Sequence, residues 1–339
     1  MLSWIYKNVT TARNLLFDRG VLKSARLGAP VISVGNITVG GTGKTPLVAL
    51  IAEMLSDQGL RVCVLTRGYG RRDPGKRVLV SDGSPGALPV SADEAGDEPA
   101  ELARKLAGKA VIVADADRNG AGQWALEAFG IDVFVLDDGF QHRQLQRDLD
   151  IVCIDATNPF GNFKTLPFGI LRERAASLGR ADLIVITRAN LVSDDAVSTV
   201  KARVNELAPD TPVLVSRNEF GGLKPLHLPS EPDKPAFAFC ALGNPGNFFD
   251  QLTAEKFDIR GTRRFPDHHR YTQNDADDLF SAATASGAEI LITTAKDAVK
   301  LESLTLSLPC LVAENTLSFN DGNRLREMIS GVAKGAHRQ

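Results

Sequence analysis

Lys44 and Thr45 close the run Thr38-Val39-Gly40-Gly41-Thr42-Gly43-Lys44-Thr45-Pro46, and the chemistry of that run is phosphate binding. Glycines bare backbone N–H groups, and the positive end of a following helix adds to their pull on an anion. The lysine would reach the β- and γ-phosphates of a nucleotide, and the threonine hydroxyl would ligate Mg²⁺. The apolar Val31-Ile32-Ser33-Val34 precedes the run and an amphipathic stretch over 47–55 follows it, so the loop joins a strand to a helix as a P-loop must. One departure stands out. The first glycine of G-x-x-x-x-G-K-[ST] would fall at position 38, which is Thr38.

Val133-Phe134-Val135-Leu136-Asp137-Asp138-Gly139-Phe140-Gln141-His142 is the second chemical signal. Four apolar residues running into an acid form a Walker-B-like strand that sets a carboxylate beside phosphate-bound metal. Mg²⁺ takes one or two carboxylates with phosphate oxygens and water, so either Asp137 or Asp138 can serve. Arg67-Gly68-Tyr69-Gly70-Arg71-Arg72 offers arginines able to clamp phosphate in bidentate fashion, or a solvated basic turn. In Gly96-Asp97-Glu98-Pro99, Asp97 is either a helix cap or a base for an acceptor hydroxyl. Asp115-Ala116-Asp117 offers the same choice. Phe265-Pro266-Asp267-His268-His269-Arg270 gathers two of the five histidines beside an acid, without the further ligands that a metal site needs. Thr294-Ala295-Lys296-Asp297 follows a strand, where such a pair holds a base, orders a phosphate loop or starts a helix.

These groups need a scaffold, and the pattern supplies one. Apolar runs over 31–34, 61–66, 110–114, 132–136, 150–154, 183–187 and 212–216 read as strands. Helical patterns over 46–58, 99–106, 122–129 and 194–207 lie between several of them. Continuous apolar strands separated by helices predict an α/β fold, a P-loop-type and largely parallel sheet flanked by helices. Ligands bind at the carboxyl ends of such strands, so the P-loop, Arg67, Asp115 and Asp137 should converge on one edge. The stretch 220–235 holds four prolines and two glycines and reads as an interdomain linker. A smaller α/β unit follows, with a strand near 257–265, a helix over 273–285 and a strand over 289–293. The expected division is 1–25, an amphipathic helix; 26–218, the P-loop core; and 219–339, the smaller domain, its last residues returning to the core.

A chain of 339 residues suits two domains, and a 43% hydrophobic, 24% charged composition supports a core. A net charge of −2 gives no overall pull toward nucleic acid. Four scattered cysteines read as small buried hydrophobes rather than metal ligands or a disulfide frame. No apolar run is long enough to span a membrane, and the start of the chain has no signal-peptide pattern. There, Leu2, Ile5, Val9, Ala12 and Leu16 recur at three- and four-residue steps, with Trp4, Tyr6 and Phe17 beside them and Lys7, Arg13, Arg19 and Lys23 among them. Such a helix either packs on the core or lies in a membrane interface.

The P-loop with Thr38, Arg67 to Arg71, Asp97-Glu98-Pro99, Leu136 to His142, Leu171-Arg172-Glu173, Asp267-His268-His269 and Thr294 to Lys300 together resemble the tetraacyldisaccharide 4′-kinases of lipid A biosynthesis. The resemblance runs nearly end to end, and the threonine at position 38 belongs to that family's loop. It implies ATP-dependent phosphorylation of the 4′-hydroxyl of a tetraacylated glucosamine disaccharide 1-phosphate, yielding lipid IVA. It also implies peripheral attachment at the cytoplasmic face of the inner membrane through the first helix, with no nucleic-acid or obligate protein partner. Thr38 to Thr45 would bind ATP, with Lys44 on the phosphates. Thr45, Asp137 and Asp138 would hold Mg²⁺. Asp97 would be the base, paired with His268 in preference to His269. Arg67, Arg71, Glu98, His142 and Glu173 would contact substrate. A P-loop switch or metallochaperone-type ATPase would share the loop and the acid. It has no use for Asp97, His268 or the amphipathic start. A kinase of a small soluble metabolite would not need that start either.

Overall fold

The computed structural model describes residues 2–85, 90–226, 228, 230–267 and 269–336. Among them, twelve strands form one sheet. The first eight are β1 (Val31–Asn36), β2 (Val62–Thr66), β3 (Val78–Asp82), β4 (Ala110–Ala114), β5 (Val133–Asp137), β6 (Leu149–Asp155), β7 (Leu183–Thr187) and β8 (Val213–Pro225). The remainder are β9 (Ala236–Cys240), β10 (Ile259–Arg264), β11 (Ile290–Thr294) and β12 (Cys310–Phe319). The helices are α1 (Leu2–Asp18), α2 (Lys44–Ser56), α3 (Ala92–Ala95), α4 (Asp97–Lys105), α5 (Arg118–Phe129), α6 (Asp194–Leu207), α7 (Gly246–Ala254), α8 (Gln273–Ala285), α9 (Ala295–Ala298) and α10 (Gly322–Ala336). No helix among the described residues is long and apolar enough to cross a membrane.

The strand order is β10-β9-β11-β12-β8-β7-β6-β1-β5-β2-β4-β3. All neighbours are parallel except β3 with β4 and β8 with β12. Strands buried on both faces have no polar side to alternate with, which is why they read as unbroken apolar runs. Successive residues enter opposite cores: Ile32 and Val34 pack with Val62 and Val64 on one face, while Cys63 and Leu65 pack with Phe134 and Leu136 on the other. The second half repeats this, with Phe237 and Phe239 on one face and Ala236, Ala238 and Cys240 on the other. All four cysteines are free and buried.

The antiparallel β8·β12 junction decides the architecture. β8 begins parallel to β7 at Val213 to Val215, then pairs with β12 from Ser216 to Pro225. Its far end meets the start of β12, where β11 also pairs. The strands of the second half therefore run against those of the first, and the carboxyl ends of both sets face each other across one cleft. The reading of 220–235 as a linker is corrected at its start: β8 continues through Gly221 and Gly222 to Pro225, with a shift of register against β12 at the two glycines. Pro225 is tolerated because it ends the strand. The expected boundary at 218–219 falls inside this strand. After β12 the chain returns, and Leu325, Ile329 and Ala333 of α10 join the core beneath α2.

Candidate active site

The cleft has a volume of about 2180 Å³ and is lined from both halves. On the first wall, β1 delivers the phosphate loop. Gly43 caps α2 with φ 72° and ψ 23°, a left-handed turn that costs an L side chain about 1–2 kcal/mol and glycine almost nothing. Asn36 Nδ2 donates to Thr42 Oγ1 at 2.8 Å, and Thr187 Oγ1 at the end of β7 donates to the Thr42 carbonyl at 2.8 Å. Thr38 sits at the missing glycine for a visible reason. It is buried and bridged to Leu171, and the next amide, Val39 N, donates to Ile170 O at 2.8 Å. A short strand-like contact, not a tight glycine turn, opens this loop.

Lys44 Nζ lies 3.1 Å from Asp138 Oδ1, and Arg172 holds the other oxygen at 2.6 Å. Asp138 reaches both because its own backbone is left-handed, φ 53°, a strained conformation for a residue with a Cβ. Burial pushes its carboxyl up, but Lys44 and Arg172 outweigh burial and hold it below the ordinary aspartate range. Asp137, one residue earlier, behaves oppositely. It accepts from Thr66 Oγ1 at 3.1 Å and is pushed up to about 7, by burial first and then by the charge of Glu98, against Lys44. Glu98 opens into the same cleft, where enclosure raises its carboxyl, Lys44 opposes and Asp138 adds to the rise. Two hard carboxylates and the Thr45 hydroxyl at the helix start make a donor set that suits Mg²⁺.

Asp97 is the first residue of α4, directly after the N-cap Gly96, and it lines the cleft. Gly96 before it has φ 94°, and a Cβ there would lie 2.6 Å from the Tyr69 carbonyl. That close approach seats the Arg67–Tyr69 turn against the start of α4. Asp117 caps α5, accepting from Gly120 N at 3.1 Å, while Asp115 pairs with Arg77 at 2.8 Å. From the facing wall, Lys300 Nζ lies 3.1 Å from Asp97 Oδ2, Arg270 lies 3.6 Å from Asp93, and Lys296 pairs with Asp267 at 2.8 Å. His268 lies outside the described residues. His269 stacks on Phe265 and pairs with Asp275 at 3.2 Å, and it is not on the cleft wall.

Glu173 is buried and links three elements. It accepts from Asn14 of α1 at 2.8 Å and from Gln141 at 2.9 Å, and it pairs with Arg180 at 3.0 Å. Burial raises its carboxyl, but Arg180 and these hydrogen bonds carry it below the usual range. Gln141 also donates to Asn36 O at 2.7 Å, beside the phosphate loop. Ser3, Tyr6, Thr10, Thr11, Asn14 and Phe17 form the half-buried side of α1, whereas Leu2, Trp4, Ile5, Val9, Leu15 and Leu16 are exposed, Trp4 by 68% and Val9 by 63%. The helix thus docks by its polar side. Phe163 and Phe168, in the loop that Ser3 hydrogen-bonds, are exposed next to it.

The expected site residues divide accordingly. The loop from Val39 to Thr45, Arg67, Asp97, Glu98, Asp137, Asp138 and Glu173 are gathered in and around the cleft. Arg71 and His142 are not on its wall. The Arg71 guanidinium is buried, donating to the Ala114 and Pro74 carbonyls, so it pins its own loop. His142 sits among Arg118, Arg147 and Asp117, and burial followed by those arginines lowers its imidazole to about 4. Residue-type reasoning passed over Arg172, Arg188 and Lys300. Arg172 was only a neighbour of Glu173 in its motif, and Lys300 only closed the Thr294–Lys300 stretch. Arg188 follows β7, has φ 57°, pairs with Asp155 at 2.6 Å and would meet a Cβ at Gly41 at 3.5 Å. The available signal was its place after a strand next to the one carrying Asp155.

Residues 1–334 match the LpxK family model, described as tetraacyldisaccharide-1-P 4′-kinase. The chain belongs to that family. The tetraacyldisaccharide 4′-kinase of Anaeromyxobacter dehalogenans is 41% identical over 308 residues, covering 88% of this chain and 79% of that protein. The tetraacyldisaccharide 4′-kinase of Syntrophobacter fumaroxidans is 42% identical over 324 residues, covering 94% and 83%. The crystal structure of LpxK from Aquifex aeolicus in complex with ATP is 32% identical and superposes with a TM-score of 0.77, covering 98% of this chain and 97% of that one. That likeness spans both walls of the cleft, so the head-to-head arrangement is shared with a LpxK that binds ATP.

Proposed function

We propose that this chain transfers the γ-phosphate of ATP to the 4′-hydroxyl of a tetraacylated glucosamine disaccharide 1-phosphate, giving lipid IVA, at the cytoplasmic face of the inner membrane. The observation that carries the reading is Asp97, a carboxylate at the start of α4 that lines the same cleft as the Lys44 phosphate loop. The acceptor oxygen bonds to the γ-phosphorus as the β,γ-bridging P–O bond breaks, and Asp97 takes the hydroxyl proton. His268, the residue after Asp267, is the proposed partner of Asp97 in that transfer. Lys44, with the loop amides, holds the phosphates. Thr45 and the Asp137–Asp138 pair would hold Mg²⁺, which would supply neutralisation of phosphate charge. Arg67, Glu98 and Glu173 border the space left for the sugar, and Arg71 and His142 support it from behind. The apolar outer face of α1, with Phe163 and Phe168, is the surface for lipid, and its basic residues suit anionic headgroups.

The test is turnover of ATP and of acceptor in detergent micelles. Asp97→Ala should lose about 10²–10⁴-fold in kcat, the usual worth of a general base, with ATP affinity nearly unchanged. Normal turnover by that variant would end the assignment. Vigorous ATP hydrolysis without acceptor, and no phosphorylated lipid, would instead favour an ATPase switch.

A further inference from the structure

Lys300 carries a charge that the proposed reaction has not used. It follows α9 at the carboxyl end of β11, and its amide donates to Asp297 O at 2.9 Å, which fixes the turn. Its side chain is only 6% exposed, and Nζ lies 3.1 Å from Asp97 Oδ2 on the opposite wall. Nζ itself is buried and finds no aligned hydrogen-bond acceptor among the described residues. Burying an ammonium is costly unless opposite charge compensates it. Two carboxylates do so here: Asp97, and the fully buried Asp297, whose carboxyl feels the Lys300 charge. Asp297 is itself immobilised, accepting from Ala241 N at 3.1 Å and from Thr294 Oγ1 at 2.7 Å. A rigid anchor in the second half thus holds a cation against a carboxylate of the first.

Resting on the reading of Asp97 as the base, we infer that Lys300 is a positioning residue for it. The ammonium fixes the direction of the Asp97 carboxylate, so that it meets the acceptor hydroxyl. The experiment compares full-length Lys300→Ala, Lys300→Arg, Asp97→Ala and the Asp97→Ala/Lys300→Ala double variant, with Mg·ATP and the tetraacylated disaccharide 1-phosphate. Lys300→Ala should lower kcat about 10- to 100-fold, the scale of a slightly misplaced reacting group, and leave the KM for ATP within about twofold. Lys300→Arg should recover part of the loss, because a cation is restored with different geometry. In the Asp97→Ala background the lysine change should cost nothing further, since residues acting as a unit are not additive. An unchanged kcat for Lys300→Ala, or the same loss with and without Asp97, overturns this inference alone. Normal turnover of Asp97→Ala overturns it together with the base assignment. Should the alanine variant fail to fold, Lys300→Met keeps the apolar stem and carries the same comparison.

Discussion

Asp137 and Asp138 are adjacent in the chain and opposite in charge behaviour, because the backbone turns between them. Asp137 ends β5 pointing into the buried strand edge, where Thr66 is its hydrogen-bond donor. Asp138, at φ 53°, swings to Lys44 and Arg172 and stays ionised. The residue types were legible in the sequence, but side-chain direction was not, because it depends on a dihedral angle that no residue type requires. His142 shows the same limit. The resemblance implied substrate contact for it, yet it is not on the cleft wall, and its imidazole is lowered to about 4. An unfolded histidine titrates near 6.5, so between about 6.5 and 4 the unfolded chain binds a proton that the folded one refuses. His142 therefore makes the fold lose stability as pH falls through that window, and the loss is complete below it. Denaturant midpoints measured against pH should show this slope in the wild type and a flatter one in His142→Gln.

Elements were the best-read level. Predicted strands 110–114 and 183–187 coincide with β4 and β7, and predicted helices 194–207 and 273–285 with α6 and α8, since buried parallel strands and amphipathic helices write themselves as periodicity. β3 and the long β12 escaped, being edge or junction strands with mixed polarity. In the phosphate loop, Gly43→Ala forces a Cβ into a left-handed turn 3.4 Å from Thr187. A cost of about 1–2 kcal/mol is expected, read as weaker ATP binding by calorimetry with the sheet intact by circular dichroism. For α1 the periodicity found the apolar stripe, and the structure turns that stripe outward. Trp4→Ser/Val9→Ser should abolish cosedimentation with anionic vesicles while leaving the thermal midpoint within a degree or so, as exposed substitutions usually do. Retained vesicle binding would remove the membrane role from this helix.

At the scale of the whole molecule, the two opposed sets of strands in one sheet are what make one site of two walls. Composition predicted a break after residue 218, but no local signal announces that β8 continues through two glycines or that β12 returns to pair with it from Ser216 to Pro225. Long-range pairing is invisible to short windows of sequence. The return matters energetically. Ile329 of α10 is fully buried in the core beneath α2, so Ile329→Ala should cost about 2–5 kcal/mol, although it lies far in sequence from the phosphate loop. Differential scanning calorimetry should show the nucleotide-binding half melting earlier, and ATP should restore part of the loss.

The β12–α10 return also sets an order of assembly. These residues leave the ribosome after all the other described elements, yet they pair with β8 and fill the core under the phosphate loop. A growing chain can therefore make the P-loop sequence long before it can finish the wall that supports it. Lys300 and the facing edge emerge shortly before that last packing step. The nucleotide cradle and the opposite wall should mature together, which leaves little time in synthesis for an ATP site that works without its acceptor side.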